Sequence, residues 1–295
     1  MKLGKEVYGM DINQISPYIR IATDSVIFSP WRLHERVIFD FELLYIKEGN
    51  IHVDIEGKSF YGNPGDVFLF KPKQRHSIDI LGDSCFHQPH IHFDLFYQPD
   101  SPEVKVSFKS LEALTSLEMK MFRESMPQNS EIDLPNQMRL SNTKLFEEML
   151  FEIIKEYEMK MPFHEIIVKG MFVKLWTYLM RENYWHNNPV VSENMAELIG
   201  VKDYLYYNAD REVDLDELSS EFNFSKYHLI RLFKKAFTVS PIHYHRLIRV
   251  EKAKKMIQFT NMSFTAISEL LGFSSINSFS RAFRKVEGVP PSFYR

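Results

Sequence analysis

The feature that most constrains the fold is an internal repeat at an offset of 50 residues near the C-terminus. Apolar, aromatic and basic residues all recur at this spacing. The matched pairs are Leu229 and Phe279, Phe233 and Phe283, Val239 and Val289, Pro241 and Pro291, Tyr244 and Tyr294, Arg231 and Arg281, Lys234 and Arg284, and Lys235 and Lys285. A repeat of this length indicates two copies of one small supersecondary unit.

Each copy has the spacing of a helix-turn-helix unit. A short apolar helix, over residues 215–222 or 264–271, is followed by a tight connection and a second helix. Asp214 and Ser263 can cap the first helices, and Ser225 and Ser275 the second helices. Between the copies, Ser240-Pro241 predicts the start of a linker helix to about residue 259. At roughly 28 Å, this helix could hold two recognition helices near successive major grooves.

The second helix of each copy divides into an apolar and a polar face at 100° per residue. The apolar face carries Leu229, Leu232, Phe233 and Ala236 in the first copy, and Phe279, Ala282, Phe283 and Val286 in the second. Tyr227, Arg231 and Lys234 lie opposite in the first copy, flanked by Ile230, and Asn277, Arg281 and Arg284 lie opposite in the second. Such a polar face suits base edges and phosphates in a major groove.

Charge is concentrated in the same part of the chain. The whole sequence carries 36 Lys and Arg against 39 Asp and Glu, but the segment from Phe222 to Arg295 carries 13 against 3, a net charge of +10. A basic segment on an acidic chain indicates a polyanionic partner, most often nucleic acid. An ordinary solvated helix would explain Lys252, Lys254 and Lys255, but not a polar face that is repeated in two copies. We therefore predict double-stranded DNA as a partner.

Residues from about 195 to 295 resemble the AraC family of bacterial transcription regulators. The family's C-terminal pattern is met by Phe264, Ile267, Gly272, Phe273, Phe279, Arg281, Phe283, Arg284, Gly288, Pro291, Tyr294 and Arg295. The resemblance implies that Tyr227, Ile230, Arg231, Ile276, Asn277 and Arg281 lie near base edges. It places Lys234, Lys235, Arg284 and Lys285 nearer to phosphates. Arg281 belongs to the fixed pattern of a family that reads different operators, so a phosphate contact is the alternative for it.

Three residues depart from the family pattern. Thr238 replaces the glycine that is kept at Gly288, which removes the residue best suited to a left-handed helix C-cap. Ser219 and Ser268 replace alanine, and we expect their hydroxyls to bond back to the preceding helical turn with little effect.

Residues 25–98 show the pattern of short β-strands. Strands are predicted over 37–47, 51–55, 67–70, 77–81 and 91–97, separated by turns that contain Gly, Pro or Asn, which favours a sandwich or small barrel. Helices are predicted over 110–123, 143–160 and 163–181. The polar segment 183–192 contains Pro189 and predicts a boundary, so we expect domains over 1–185 and 192–295.

The family resemblance also implies the role of the N-terminal half. Regulators with two helix-turn-helix units commonly carry a cupin-like barrel that senses a small molecule and pairs subunits, and Gly65-Asp66, Phe70, Pro72 and His76 are similar to that barrel's motif. We therefore expect an α+β chain of two domains, a cupin-like barrel with added helices and an all-α domain. Glu42, His76, Gln88 and His90 are predicted to face the barrel interior and bind a sugar or related metabolite, with polar pairing in the core as the alternative.

The histidines of the barrel are also candidate metal ligands. His76, His90 and His92 could converge on a transition metal, but the early strand lacks the histidines of metal-binding cupins. We predict no metal, no cofactor and no enzymatic activity, because no nucleophile has a recognisable base. A metal-dependent cupin enzyme with a DNA-binding appendage, and a constitutive DNA-binding protein with an inert barrel, remain the alternatives.

Cellular context follows from what the sequence lacks. We expect a cytoplasmic protein, because no apolar leader or membrane-length apolar run occurs and Cys85 is the single cysteine. The apolar stripes of the helices over 143–160 and 163–181 are predicted to serve as core or as a self-association face. We expect a homodimer, and an activator would also contact RNA polymerase, although activation and repression are not distinguished by these residues.

Overall fold

The computed structural model describes residues 14–82, 85–124 and 133–295. The chain divides between Tyr184 and Trp185 into two compact units. The division falls inside a helix, because the break that Pro189 introduces comes only after His186. The expected domain bounds of 1–185 and 192–295 stay a prediction. Among the described helices, none has both the length and the apolar character needed to cross a bilayer.

The N-terminal unit is built from eleven strands within the described residues. They are β1 (Tyr18–Thr23), β2 (Val26–Phe28), β3 (Arg32–Arg36), β4 (Phe41–Tyr45), β5 (Asn50–Ile55), β6 (Lys58–Gly62), β7 (Asp66–Phe70), β8 (His76–Leu81), β9 (Cys85–His87), β10 (His90–Asp94) and β11 (Gln137–Arg139). Antiparallel pairing gives a five-stranded sheet, β1-β10-β4-β7-β11, a four-stranded sheet, β3-β8-β5-β6, and a β2-β9 ribbon. This is the expected β-rich, cupin-like domain.

Strand β4 shows how the two faces of the larger sheet are used. Successive side chains of a strand point to opposite faces. Phe41, Leu43 and Tyr45 therefore pack on one side with the helices, whereas Leu44 packs on the other side with the four-stranded sheet. All five residues of β4 are buried. Glu42 shares the inner face with Leu44, which places a carboxylate inside the barrel.

Two helices cover the outer face of the larger sheet. They are α1 (Thr143–Met159) and α2 (His164–His186). The predicted stripe of α1 is buried core from Phe146 to Ile154. The stripe expected for α2 is only partly confirmed. Leu175 and Leu179 are buried and Met171 is partly buried, but Ile167, the fourth member of that stripe, is 43% exposed. The buried face also includes Val168, Phe172 and Trp176, because packing on the sheet selects the buried side of a helix that is apolar on most sides.

Two other predicted elements differ from the structure. The helix expected over 110–123 is two 3-10 turns, Leu111–Ala113 and Glu118–Met121. Leu114 is extended, and the Glu118 carboxylate accepts a bond from the Thr115 N–H (2.9 Å), which starts a separate turn. The strand expected over 37–47 begins only at Phe41, because the Val37 N–H donates to the Lys109 carbonyl (3.0 Å) outside any strand ladder.

The described C-terminal unit is helical. Its helices are α3 (Pro189–Glu193), α4 (Met195–Tyr207), α5 (Leu215–Glu221), α6 (Lys226–Phe237), α7 (Pro241–Phe259), α8 (Phe264–Leu270) and α9 (Ile276–Glu287), followed by a 3-10 turn at Pro291–Tyr294. The predicted side-chain caps at Asp214, Ser225, Ser240, Ser263 and Ser275 all accept a backbone N–H. The two helix-turn-helix units, α5-α6 and α8-α9, and the linker helix α7 are therefore as expected.

Candidate DNA-binding surface and ligand site

The first recognition helix, α6, has the two faces that the sequence indicates. Leu229, Leu232 and Phe233 are buried, while Tyr227 is 88% exposed and Ile230 is half-buried. Arg231, Lys234 and Lys235 are exposed. The outward residues can therefore reach a partner surface, although their individual roles on DNA stay a prediction.

The second recognition helix, α9, repeats the arrangement. Phe279 and Phe283 are buried. The exposed set is Ile276, Asn277, Arg281, Arg284 and Lys285. The Ser275 hydroxyl accepts the Ser278 N–H, and the Ser278 hydroxyl accepts the Ser275 N–H. Each donor–acceptor distance is 3.1 Å, and the two bonds form a capping box. This cap fixes the end of the helix from which Ile276 and Asn277 project.

The turn of each helix-turn-helix unit contains one residue in the left-handed backbone conformation, and the residue type differs between the two units. Gly272 has a φ of +64°, and a Cβ at this position would lie 2.4 Å from the Asp210 carbonyl oxygen, so only glycine fits. In the first copy Asn223 takes the left-handed conformation, at φ +54°. Asparagine is among the few non-glycine residues that adopt it readily.

The departures from the family pattern have local explanations. Thr238 adopts the left-handed C-cap at φ +67°, and its N–H donates to the Lys234 carbonyl, so the cap forms without glycine. The Ser219 hydroxyl does not bond back to the preceding turn as expected. It donates to the Phe224 carbonyl, which lies beyond the end of α5 in the helix-turn-helix connection. Ser268 is buried.

Glu42 and His76 lie in a buried polar cluster at one end of the barrel interior. Arg36 connects them: its Nη2 donates to Glu42 Oε2 (2.5 Å) and its Nε donates to His76 Nε2 (3.0 Å). Burial raises the pKa of Glu42, but Arg36 and the neighbouring histidines outweigh it and hold that pKa at about 2. Burial, followed by Arg36, lowers the pKa of His76 to about 4. At neutral pH the cluster therefore holds a carboxylate, a guanidinium and a neutral imidazole.

Two histidines of β10 face the same carboxylate. His92 is opposite Glu42 in the strand register, and its Nε2 lies 3.6 Å from Glu42 Oε2. His90 Nδ1 donates to the Gln88 carbonyl (3.1 Å), which leaves Nε2 of the neutral ring as an acceptor. Burial lowers the pKa of His90. The ligand atoms of Glu42, His90 and His92 lie within 4.8 Å of one another, so a metal ion could bind there.

The four predicted ligand residues are placed differently by the fold. Glu42 and His90 lie together, and His76 joins them through Arg36. Gln88 is buried between β9 and β10, where its N–H donates to the Ser25 carbonyl (2.8 Å). The three histidines considered for metal do not form the candidate group, because His76 Nε2 is taken by Arg36 and Glu42 replaces it.

Sequence reasoning missed the charged network behind this cluster. His92 Nδ1 lies 3.2 Å from Asp40 Oδ1, and Arg20 joins Asp40 to Asp94. Arg123 Nε donates to Asp94 Oδ2 at a distance of 3.1 Å. The inward position of Glu42 was expected from the sequence, but the arginines come from distant segments whose contacts no local pattern reveals.

Comparison with known proteins matches both units. A family model of an AraC-like ligand binding domain matches residues 24–113, and a model of a helix-turn-helix domain matches residues 218–295. Neither model is that of an enzyme family.

Relatives with known sequences are transcription regulators by name. The uncharacterized HTH-type transcriptional regulator YisR of Bacillus subtilis is 22% identical over 278 residues, which cover 93% of this chain and 92% of YisR. The HTH-type transcriptional regulator GbdR of Pseudomonas aeruginosa is 31% identical over 102 residues, but these cover only 35% of this chain and 28% of GbdR. Among solved structures, the C-terminal domain of AraT, a response regulator from Geobacillus stearothermophilus, is 29% identical. It covers 34% of this chain and 83% of that chain, with a TM-score of 0.33.

The two family models describe different kinds of domain, and they match different units of the chain. One describes a ligand binding domain and matches within the β-rich unit, and the other describes a helix-turn-helix domain and matches within the helical unit. The chain is a DNA-binding transcription regulator with a ligand-binding domain, and it belongs to the AraC family.

Proposed function

We propose that this protein is a ligand-responsive transcription regulator whose N-terminal domain, residues 1–185, senses a small polar molecule. Residues 192–295 read an operator, and the genes controlled are metabolic or transport genes near its own. The observation that carries the proposal is the pairing, in one chain, of two exposed recognition faces with a barrel that holds a buried polar cluster.

The recognition faces support the DNA contacts that we propose. Tyr227, Ile230 and Arg231 on α6, and Ile276 and Asn277 on α9, approach base edges. Asparagine can pair bidentately with adenine and arginine with guanine. Lys234, Lys235, Arg284 and Lys285 lie farther along each helix and hold the backbone, where positive charge gives affinity without reading sequence.

The polar cluster supports a sugar or a related hydroxylated metabolite as the effector. His90 Nε2 and the Glu42 carboxylate accept hydrogen bonds, and Arg36 donates them, which matches the donor and acceptor character of sugar hydroxyls. We propose Glu42, His76, Gln88 and His90 as the residues that bind it. In this reading Arg36 and His92 complete the site.

A divalent metal is the competing occupant of the same residues. Glu42, His90 and His92 have suitable ligand types and spacing. However, the Arg36 guanidinium already neutralises Glu42 at 2.5 Å, and a metal ion would have to displace it. This ion pair favours a sugar or related metabolite over a metal ion as the ligand. The metal-dependent enzyme and the inert barrel are the alternative outcomes of the test below.

We further propose a cytoplasmic homodimer that forms through the N-terminal domain, with RNA polymerase as a partner when the protein activates transcription. Several apolar side chains remain exposed near the end of α1 and the start of α2. They are Met159, Met161, Phe163, Ile166 and Ile167. Pairing two DNA readers would raise the effective concentration of the second.

The experiment is a thermal-shift screen of the full-length protein against sugars and related metabolites, with and without EDTA or added zinc. A true effector at 100 times its Kd stabilises the protein by about 2.7 kcal/mol. We expect His90→Ala to lose this shift, whereas His34→Ala, which removes an exposed imidazole, keeps it. Stabilisation by zinc alone would favour the metal alternative, and no stabilising compound would favour the inert barrel. A footprint on the neighbouring promoter, with and without the effector, then tests regulation.

A further inference from the structure

A basic cleft lies between the linker helix α7 and the second recognition helix α9. Its volume is about 300 Å³. Arg246 and Arg249 of α7 and Arg281 and Lys285 of α9 contribute its positive charge, and Glu212 is the acidic residue in its wall. The cleft therefore has a strong excess of positive charge.

One of these arginines is part of the wall. Arg249 is buried and donates to the Leu271 carbonyl from Nε (3.0 Å) and Nη2 (2.7 Å). Its guanidinium carbon lies 3.9 Å from the centre of the Phe273 ring. These contacts hold Arg249 in place, so it supplies a fixed positive charge at the base of the cleft.

The other three cations are available to a ligand. No side-chain hydrogen bond or ion pair joins Arg246, Arg281 or Lys285 to another residue in the described part of the chain. Arg281 and Lys285 are exposed and Arg246 is half-buried. Two of these charges reach the same neighbour: the pKa of His243 is lowered first by burial and then by Arg246 and Lys285. Cations that line one cleft attract an anion into it.

We propose that the cleft seats one backbone phosphate of the bound DNA, held by Arg246 together with Arg281 and Lys285. The linker helix then becomes a third DNA-contacting element, and Arg281 grips the backbone instead of reading a base. Guanidinium groups bind phosphate oxygens through paired, charge-assisted hydrogen bonds. The inference rests on the proposed DNA contact of α9. It favours DNA over a free anion because Arg281 and Lys285 share the exposed face of α9 with Asn277 and Arg284.

The cleft described beside the first recognition helix has fewer cations. Arg231 and Lys235 line a smaller cleft of about 220 Å³. Its other lining residues are uncharged, namely residues 187–191 and Leu232. Of these two clefts, the one beside α9 has more positive charge, and we expect an asymmetric set of phosphate contacts along the operator.

The test uses the full-length protein and a duplex recovered by the parent from a random pool. Arg246→Gln removes the proposed contact, and Lys255→Gln removes an exposed cation from the same helix outside the cleft. We expect Arg246→Gln to bind about tenfold more weakly, because it loses a hydrogen bond to a charged group. Its log-log salt slope should be shallower by about 0.9, the value for one phosphate. Lys255→Gln should match the parent in affinity, and both variants should keep the parent's base preferences.

A scan of neutral methylphosphonate substitutions along the duplex locates the contact. We expect one substitution beside the half-site of the second unit to weaken the parent but not Arg246→Gln. Identical scans and slopes for the two proteins would overturn the inference while leaving DNA binding intact. Failure of the parent to enrich any duplex would instead overturn the proposed function as well. Titration with inorganic phosphate distinguishes a DNA phosphate from a free anion as the ligand of the cleft. If Arg246→Gln loses phosphate binding but keeps the parent's affinity for DNA, the cleft binds a free anion and the inference is wrong.

Discussion

Arg36 and Glu42 form an ion pair inside the barrel, with both side chains only 4% exposed. They lie at the end of β3 and within β4, six residues apart. A buried pair of this kind adds little compared with an apolar pair of the same shape. Removal of one partner is costly, however, because it leaves a buried charge uncompensated. The pair thus makes the proposed ligand site and the stability of the barrel depend on the same two residues.

We predict that Arg36→Met lowers the free energy of unfolding by about 3–5 kcal/mol. The carboxylate of Glu42 loses its nearest cation, and His76 loses its donor. Urea denaturation at neutral pH measures the change. The matched control is Arg32→Met, which breaks a pair with Asp79 in which Arg32 is 60% exposed. That change should cost no more than about 1 kcal/mol, and equal losses in the two variants would contradict the assignment.

We predict that the protein loses stability as the pH falls from 6.5 to about 4. The folded state keeps His76 neutral with a pKa of about 4, whereas the unfolded chain has the ordinary value of 6.5. The unfolded state therefore binds more protons in this window, which lowers the free energy of unfolding as the pH falls. His76 accounts for about 3 kcal/mol by this reasoning, and the lowered pKa of His90 acts in the same direction.

Urea titrations between pH 4 and 7 test the histidine assignment. His76→Gln should have a flatter dependence on pH than the parent, whatever its absolute stability. His34→Gln controls for the loss of an exposed imidazole and should keep the parent's slope. A His76→Gln profile parallel to that of the parent would show that another group titrates.

We predict that Asn277→Ala relaxes base preference at one operator position by about 1–3 kcal/mol, because the amide can pair with an adenine edge. Lys234→Ala should instead weaken all sequences alike and make the salt slope about one unit shallower. Selection of bound sequences from a random pool, followed by binding at several salt concentrations, measures both effects. Unchanged base preferences in Asn277→Ala would mean that the outward face of α9 is assigned wrongly.

We predict that the full-length protein is a dimer and that Ile166→Glu shifts it towards monomer. Ile166 is 71% exposed beside the 78% exposed Phe163, and a buried carboxylate at a subunit contact would be unfavourable. Sedimentation at micromolar concentration measures the shift. Tyr61→Glu changes a similarly exposed residue on β6 and should leave the parent's mass unchanged. A monomeric parent, with and without DNA, would refute the prediction.

The helix-turn-helix region could be predicted closely because its determinants are local. Serine and aspartate caps, the glycine of the turn and the spacing of apolar residues all act within a few positions. The expected linker helix from Pro241 to Phe259 accordingly has the bounds that the structure gives it. Local signals failed where they were weak. The helix expected over 110–123 is interrupted near Thr115, where a separate turn begins.

The barrel site was only partly accessible to the same reasoning. The alternation around Glu42 and the spacing of His90 and His92 place these side chains on one face, but nothing local pairs that face with Arg36. The sequence by itself determined the two helix-turn-helix units, their exposed faces and the strand-rich character of the first half. Only the tertiary structure decided which charges meet inside the barrel and in the cleft beside α9. Those contacts join residues from separate elements, and packing between the elements sets their distances.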